Sequence, residues 1–294
     1  MPTSPFIIAT RGSALALAQA DAILAQCRAA FPKAGFQIKI IKTTGDKLQT
    51  ASLANANLPK GLFTKELEVA LLNGEADLAV HSLKDLPTDL PAGLTLGAAS
   101  KRADARDVLI YRDAAFCKST SPQPARRGFK PHLTMIGLPA GATLATSSTR
   151  RSAQALERRP DLKVVPIRGN VPTRLKKLAE QPEIDAILLA AAGLERLHYD
   201  IQPDGRLTGA AKPSSGIGEP GPLPEGLLAT RLELDEMLPC VGQGAIGIEI
   251  REGDQRVAAL CEQLNDSDTL ACVTAERAFL KAMRRLPTGR GCLC

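Results

Sequence analysis

Short apolar runs alternate with stretches of helical period along most of the chain. FIIAT is followed by the turn RGS and by ALALAQADAILAQCRAAF, whose apolar residues recur at helical spacing, and FQIKIIKT is the next apolar run. The succession returns in FTKELEVALLNGE, which Gly74 closes, and in ADLAVHS, which runs into the loop LKDLPTDLPAG. It returns again in ATLATSS before TRRSAQALERR, in LKVVPI before RGNVPTRLKKLAEQ, and in IDAILLAAAGLERL. Apolar β-prone runs separated by amphipathic segments predict βα units and an α/β architecture. Two stretches break the alternation: CKSTSPQPARRGFKPH and QPDGRLTGAAKPSSGIGEPGPLPEG are rich in Pro, Gly and Ser, and are expected to be exposed insertions. After the second, LPCVGQGAIGIEIR reads as a strand entered through a glycine-rich crossing. A chain that returns there to its first domain makes a hinged two-domain body.

Length agrees with that organisation, since 294 residues suffice for about two domains of ordinary size. No apolar run approaches the ~18 residues that span a bilayer, and MPTSPFIIATRGS lacks a basic segment followed by a long apolar one, so a cytoplasmic protein without a signal peptide is expected. The seven cysteines are odd in number, scattered and without a C-x-x-C pair, which argues against a disulfide framework and a zinc site. Most are expected to be small buried hydrophobes. The net charge of +6 points to an anionic partner. With no Trp and only two Tyr, stacking platforms for single-stranded nucleic acid are scarce.

Ligands of open α/β sheets gather beyond the carboxyl ends of strands. Three strand-to-helix turns carry Arg there: Arg11 with Ser13; Arg150 and Arg151 with Ser147 and Ser148; and Arg168 with Arg174. Arginine in a helix's first turn opposes the macrodipole, while the N–H groups of the same turn suit a carboxylate. For one turn, a capping serine with arginines in solvent explains as much; three such turns together favour an anion cleft. In DLAVHSLKDLP a strand end delivers His81, Ser82, Lys84 and Asp85 into a loop stopped by Pro87, setting a carboxylate beside a cation. Such a carboxylate could act as acid, base or cation stabiliser. A surface ion pair is the plainer alternative, and no Ser–His triad can be read from the spacing.

Taken in order, IATRGSALALAQA, TTGDK, KGLFTKELEVALLNGEADLAVHSLKDLPT, KRADARDVLI, ATSSTRRSAQ, RGNVPTRLKKL, DAILLAAAGLERL and LPCVGQGAIGIEIR closely resemble the porphobilinogen deaminase (hydroxymethylbilane synthase) family, over residues 6–280 outside the two insertions. The resemblance implies head-to-tail joining of four porphobilinogens to hydroxymethylbilane, with release of ammonia. It implies that Asp85 is the catalytic carboxylate, and that Arg11, Ser13, Lys84, Ser147, Ser148, Arg150, Arg151, Arg168 and Arg174 bind the acetate and propionate groups of substrate and growing chain. Asp46, Lys60, Phe63, Arg196 and Gln243 match further cleft or loop positions. The expected fold is a pair of type II periplasmic-binding-protein-like α/β domains with mixed sheets and a hinge near 100–107 and 238–244. The first domain comprises 1–100 with 244–264, the second 107–238 with insertions near 113–140 and 202–228, and 267–294 is what remains of a small α+β third domain. The expected protein is a cytoplasmic monomer that takes porphobilinogen, with no nucleic acid, membrane or metal partner.

The family carries a dipyrromethane cofactor on a cysteine thioether, in a GGC loop soon after the helix matching AERAFLKAM, and a third domain follows. Here that helix runs into RRLPTGRGCLC. Cys292 is the nearest match, several residues late, and CLC alone does not complete a tetrahedral metal site. Arg284, Arg285, Leu286 and Pro287 can be encoded CGG CGG CTG CCN, which one base later reads Gly-Gly-Cys, so the tail is expected to be a frameshift product. The alternatives are an inactive homologue that only binds anionic pyrroles and, less favoured, a basic nucleic-acid-binding protein, whose DNA binding would depend steeply on salt.

Overall fold

The structure, a computed structural model, describes residues 4–47, 63–120, 127–209 and 222–285. Lys60, Cys292 and Cys294, and the side chain of Asp46, lie outside the described residues. The chain divides into two units, one from residues up to 103 with those from 241, the other from 104–240. In chain order, the first unit begins with β1 (Phe6–Thr10), α1 (Ala14–Ala30), β2 (Phe36–Ile40), α2 (Thr44–Lys47), α3 (Lys65–Leu72), β3 (Leu78–Ser82) and β4 (Leu94–Ala99). The second holds β5 (Asp107–Arg112), α4 (Ala114–Thr120), β6 (Thr143–Ala145), α5 (Thr149–Arg158), β7 (Lys163–Val165), α6 (Val171–Glu180), β8 (Ala186–Ala190), α7 (Ala191–Arg196), β9 (Tyr199–Ile201), β10 (Leu207–Gly209) and β11 (Leu227–Arg231). Back in the first unit come β12 (Ile246–Arg251), α8 (Gln255–Leu264) and α9 (Ser267–Arg285).

The first sheet has the order β2-β1-β3-β12-β4 and the second β11-β5-β8-β6-β7. Read from its β7 edge, the second repeats the wiring of the first. In each, the strand entered directly from the other unit lies second from an edge and antiparallel to both neighbours: β12 between β3 and β4, and β5 between β8 and β11. The remaining pairs, β1 with β2 and β3, and β6 with β7 and β8, are parallel. This is a two-domain periplasmic-binding-protein-like α/β fold with mixed sheets. Its central strands are continuously apolar because helices cover both faces, as in β8, where every residue of AILLA is buried.

In the first unit Ile8, Ile23, Cys27, Val80, Ile248 and Cys261 form one core layer, and Leu67, Leu71 and Ala79 lie in another. In the second, Leu109, Tyr111, Met135, Leu144, Leu188 and Leu228 form the core. Burial pushes the Cys27 thiol up to about 11 and that of Cys261 to about 12, so both are un-ionised packing groups. The described parts of the Pro/Gly-rich segments are packed rather than wholly exposed. Residues of CKST belong to α4; Phe129, Met135 and Leu138 are buried; and β10 pairs with β9. Apolar residues scattered between the prolines supply the packing, and Phe129 meets Tyr111 edge to face at 6.0 Å.

Asp107 opens β5 with no exposed surface and holds two arginines of α5: Arg151 at 2.7 Å and Arg150 at 2.8 Å. Arg151 also donates to the Leu188 carbonyl at 2.8 Å. Burial alone would raise the Asp107 carboxyl, but the two guanidiniums outweigh it and the net shift is downward. Its stabilisation is therefore present above the ordinary carboxylate value of about 4 and lost as the pH falls below it. Asp107→Asn strands two cations and is expected to cost about 3–5 kcal/mol in urea unfolding. It should also flatten the stability curve in that acid range.

Candidate active site

In the first unit the side chains converge at the carboxyl ends of β1 and β3. Ser13 caps α1, its Oγ accepting from the Ala16 N–H at 3.3 Å, which fixes the turn that carries Arg11. The Arg11 guanidinium lies over the Phe63 ring, 4.3 Å from its centroid, so the side chain is held by a cation–π contact. From α1, Gln19 reaches Ser82 at the end of β3, with Nε2 to Oγ at 2.9 Å. Arg11, Ser13, Gln19, Phe63, His81 and Asp85 line a cavity of about 60 Å³, room for about two waters.

Asp85 ends a 3-10 turn, Leu83–Asp85, and is exposed. Lys84 beside it donates from Nζ to Gln243 Oε1 at 3.3 Å. The turn is pinned from below: Leu83 and Leu86 are buried against Ala99, Ala245 and Val273 of α9. Arg277 of α9 donates to the carbonyls of Leu86 and Pro87 at 3.1 and 2.5 Å. At the cavity wall, His81 Nε2 lies 3.1 Å from Glu249 Oε2, with both side chains almost wholly buried. Glu68 of α3 is also buried, and its carboxyl is raised, first by burial and further by Glu249, against a hydrogen bond from Thr64. The backbone of Asp46 lies in α2, whose first residue Thr44 donates its N–H to Glu66 Oε1 at 2.8 Å.

The second unit builds a separate group of turns. Ser148 caps α5, accepting from the Arg151 N–H at 3.4 Å, and Ser147 ties that turn to the next by donating to the Ile167 carbonyl at 2.8 Å and accepting from its N–H at 3.0 Å. Asn170 caps α6, and Arg174 Nε donates to the Gly169 carbonyl at 2.8 Å. Arg168 is exposed on the same turn. Arg196 ends α7; burial lowers its pKa, in part offset by Glu195. The structure thus brings Ser147 and Arg168 to adjoining turns, with Arg174 reaching back to Gly169. It directs Arg151 inward to Asp107, and ties Arg150 to Asp107 and the Leu238 carbonyl.

Sequence reasoning missed Gln19, Glu68, Glu249, Arg277 and Asp107. A signal existed for some. Gln19 sits on the face of α1 that otherwise buries Ala16, Ala20 and Ile23, and Glu249 is the only charge within the apolar run AIGIEI.

The fold is a two-domain α/β one in which each unit carries arginine and serine at its strand-end turns, and the first unit also carries an exposed carboxylate. Comparison with known proteins makes the class specific. A family model for the porphobilinogen deaminase, dipyromethane cofactor binding domain, matches residues 6–259. The porphobilinogen deaminase of Desulforudis audaxviator is 42% identical over 286 residues, covering 96% of this chain and 78% of that protein. That of Moorella thermoacetica is 44% identical over 276 residues, covering 94% and 74%. A solved Bordetella pertussis BvgS VFT2 domain covers 95% of this chain and 93% of its own at 15% identity and a TM-score of 0.44, too distant to bear on function. The chain belongs to the porphobilinogen deaminase family. The function of that family is hydroxymethylbilane synthesis, a transferase reaction of tetrapyrrole biosynthesis on a dipyrromethane cofactor. No described helix is long and apolar enough to cross a membrane.

Arg277→Ala is expected to free the segment after Asp85 at a cost of about 1–3 kcal/mol. Hydrogen exchange at residues 88–90 should accelerate more than elsewhere in the first unit, and uniform protection would exclude the clamp.

Proposed function

We propose that Asp85 is the carboxylate that assists ammonia loss and stabilises the developing pyrrole cation, and that the arginine and serine turns bind substrate carboxylates. The observation that carries this is the exposed Asp85 on a firmly seated turn, sharing a cavity with Arg11 and adjoining Lys84. Each porphobilinogen brings two carboxylates, and forked guanidiniums suit them better than ammonium does. In the first unit Arg11, Ser13 and Lys84 take this role, with Phe63 and Gln243 orienting Arg11 and Lys84. In the second unit Ser147, Ser148, Arg168 and Arg174 take it. Arg150 and Arg151 contribute through the buried anchor on Asp107, and Arg196, Asp46 and Lys60 are further cleft or loop positions that the family resemblance implies.

The cationic donor set around Asp85 fits a dipyrromethane, whose rings also carry acetate and propionate groups; Arg11, Ser13 and Lys84 would hold it. When bound, it supplies the pyrrole to which the first substrate is joined. Of the described cysteines, Cys27 and Cys261 are buried and Cys272 is exposed on α9. We assign attachment to Cys292 where the tail is as written. Where the gene reads Gly-Gly-Cys one base out of frame at Arg284–Leu286, the attachment cysteine lies there. The domains run 1–100 with 244–264, 107–238, and 267–294, and the protein is a cytoplasmic monomer that binds neither nucleic acid nor metal.

Asp85→Asn is expected to keep the fold and lose at least about 10²-fold in kcat; near-normal ammonia release would overturn the assignment. Intact mass after incubation with porphobilinogen should show an adduct on a C-terminal cysteine. A bare mass on an otherwise folded chain identifies the inactive pyrrole-binding homologue instead, and sequencing the gene across codon 283 decides the frame.

A further inference from the structure

His81 has no part in the reading above, yet it lines the cavity that contains Asp85. It stands opposite Gly247 in the antiparallel pair of β3 with β12, so Glu249, two residues on, is its diagonal neighbour on the same face. His81 is 5% exposed and Glu249 wholly buried. The 3.1 Å contact joins Nε2 to Glu249 Oε2, while Glu249 Oε1 is buried without a hydrogen-bond partner among the described residues. As a carboxylate, Glu249 can only accept, so the contact selects the ring tautomer that carries its proton on Nε2 and leaves Nδ1 as the other ring nitrogen. This is the carboxylate–imidazole arrangement that makes a histidine a directed base and acid.

The other charges around the pair are few. Glu68 of α3 faces it, raised chiefly by burial. Arg277 of α9 lies within electrostatic range of Glu249, and Arg11 and Asp85 share the cavity. A purely structural role explains this poorly. A buried polar or charged pair is often no more stable than apolar residues of the same volume, and a second carboxyl beside it adds cost.

We propose that His81, oriented by Glu249, is the proton carrier of the Asp85 pocket. The inference rests on the reading of that pocket given above. Each condensation breaks one C–N and one C–H bond, makes one C–C bond and releases one ammonia. With the substrate bound as the free amine, the departing nitrogen keeps the C–N electron pair and takes a proton, for which the imidazolium is the donor. When the C–C bond has formed, the ring carbon gives up its hydrogen as a proton, the C–H pair returns to the ring, and the proton goes back to Nδ1. One group thus serves both steps, and the cycle closes without net proton uptake.

The chain has three histidines. His132 and His198 are both exposed, so long-range proton–nitrogen spectra of the full-length protein, labelled at histidine, isolate buried His81. The neutral ring is expected to carry its proton on Nε2, and to lose that preference in Glu249→Gln but keep it in Glu249→Asp. With porphobilinogen as substrate, His81→Gln is expected to lose about 10²-fold in kcat at little change in KM, and to lose one limb of the pH profile. A proton on Nδ1 in the neutral ring, or a His81→Gln variant that keeps the wild-type pH profile, overturns the proposal, even where its stability falls. Failure of a wild-type chain that carries the C-terminal adduct to release ammonia from porphobilinogen would instead sink the reading of the whole pocket, and the carrier with it. An active wild type with an equally active His81→Gln sinks the carrier alone.

Discussion

The seating of Leu83 governs the first unit's site. Its side chain is buried, its N–H donates to the Ala245 carbonyl at 3.1 Å, and the backbone of the returning crossing presses against it. A Cβ on Gly247 would come within 2.7 Å of Leu83 Cδ1, and one on Gly242, which also has a positive φ of 71°, within 3.1 Å of Leu83 Cγ. Only glycine leaves room at such contacts. Lys84 and Asp85 follow Leu83 directly, so the position of the charged pair is set by an apolar residue and two missing side chains. Precision at a reacting carboxylate depends on this kind of support from packed neighbours.

Charge follows the same logic in the second unit. Arginines at the start of α5 oppose the helix dipole, and Asp107 offsets that cost by pairing with both. The price is that Arg151, and much of Arg150, point inward. A sequence turn that reads as ligand-binding therefore divides its labour between anchoring and presenting its serines, since Ser148 caps the helix while Ser147 locks the neighbouring turn.

Much of this was legible in the sequence. Runs such as AILLA and FIIAT announced strands of an α/β fold, the serine turns announced helix starts, and the glycine-rich LPCVGQGAIG announced a crossing. These signals are local, set by backbone freedom and hydrophobic period. The missed features are pairings at long range: Arg277 with the Leu86 carbonyl, His81 with Glu249, and Asp107 with Arg151 are separated by 191, 168 and 44 positions. No local period encodes a pair of that kind. The Pro-rich segments misled for a different reason, because composition averages hid single core residues such as Phe129 and Met135.

The common wiring of the two sheets explains why candidate residues recur at equivalent places. In the first, the chain leaves β1 toward β2 on one side, while β3 lies on the other; in the second, β6 leads to β7 on one side with β8 on the other. Each sheet therefore has a switch point, between β1 and β3 or between β6 and β8, where the loops diverge and leave a crevice beyond the carboxyl ends. Arg11 follows β1 and Asp85 follows β3; Ser147 and Arg150 follow β6, and Arg196 ends the helix after β8. Topology thus makes the same opening twice, and the sequence differentiates the two. The first receives the only carboxylate among these switch-point candidates and a buried imidazole–carboxylate pair, whereas the second receives serines and arginines. On the roles proposed for these residues, the first opening would serve proton movement and cation stabilisation, and the second the holding of carboxylates.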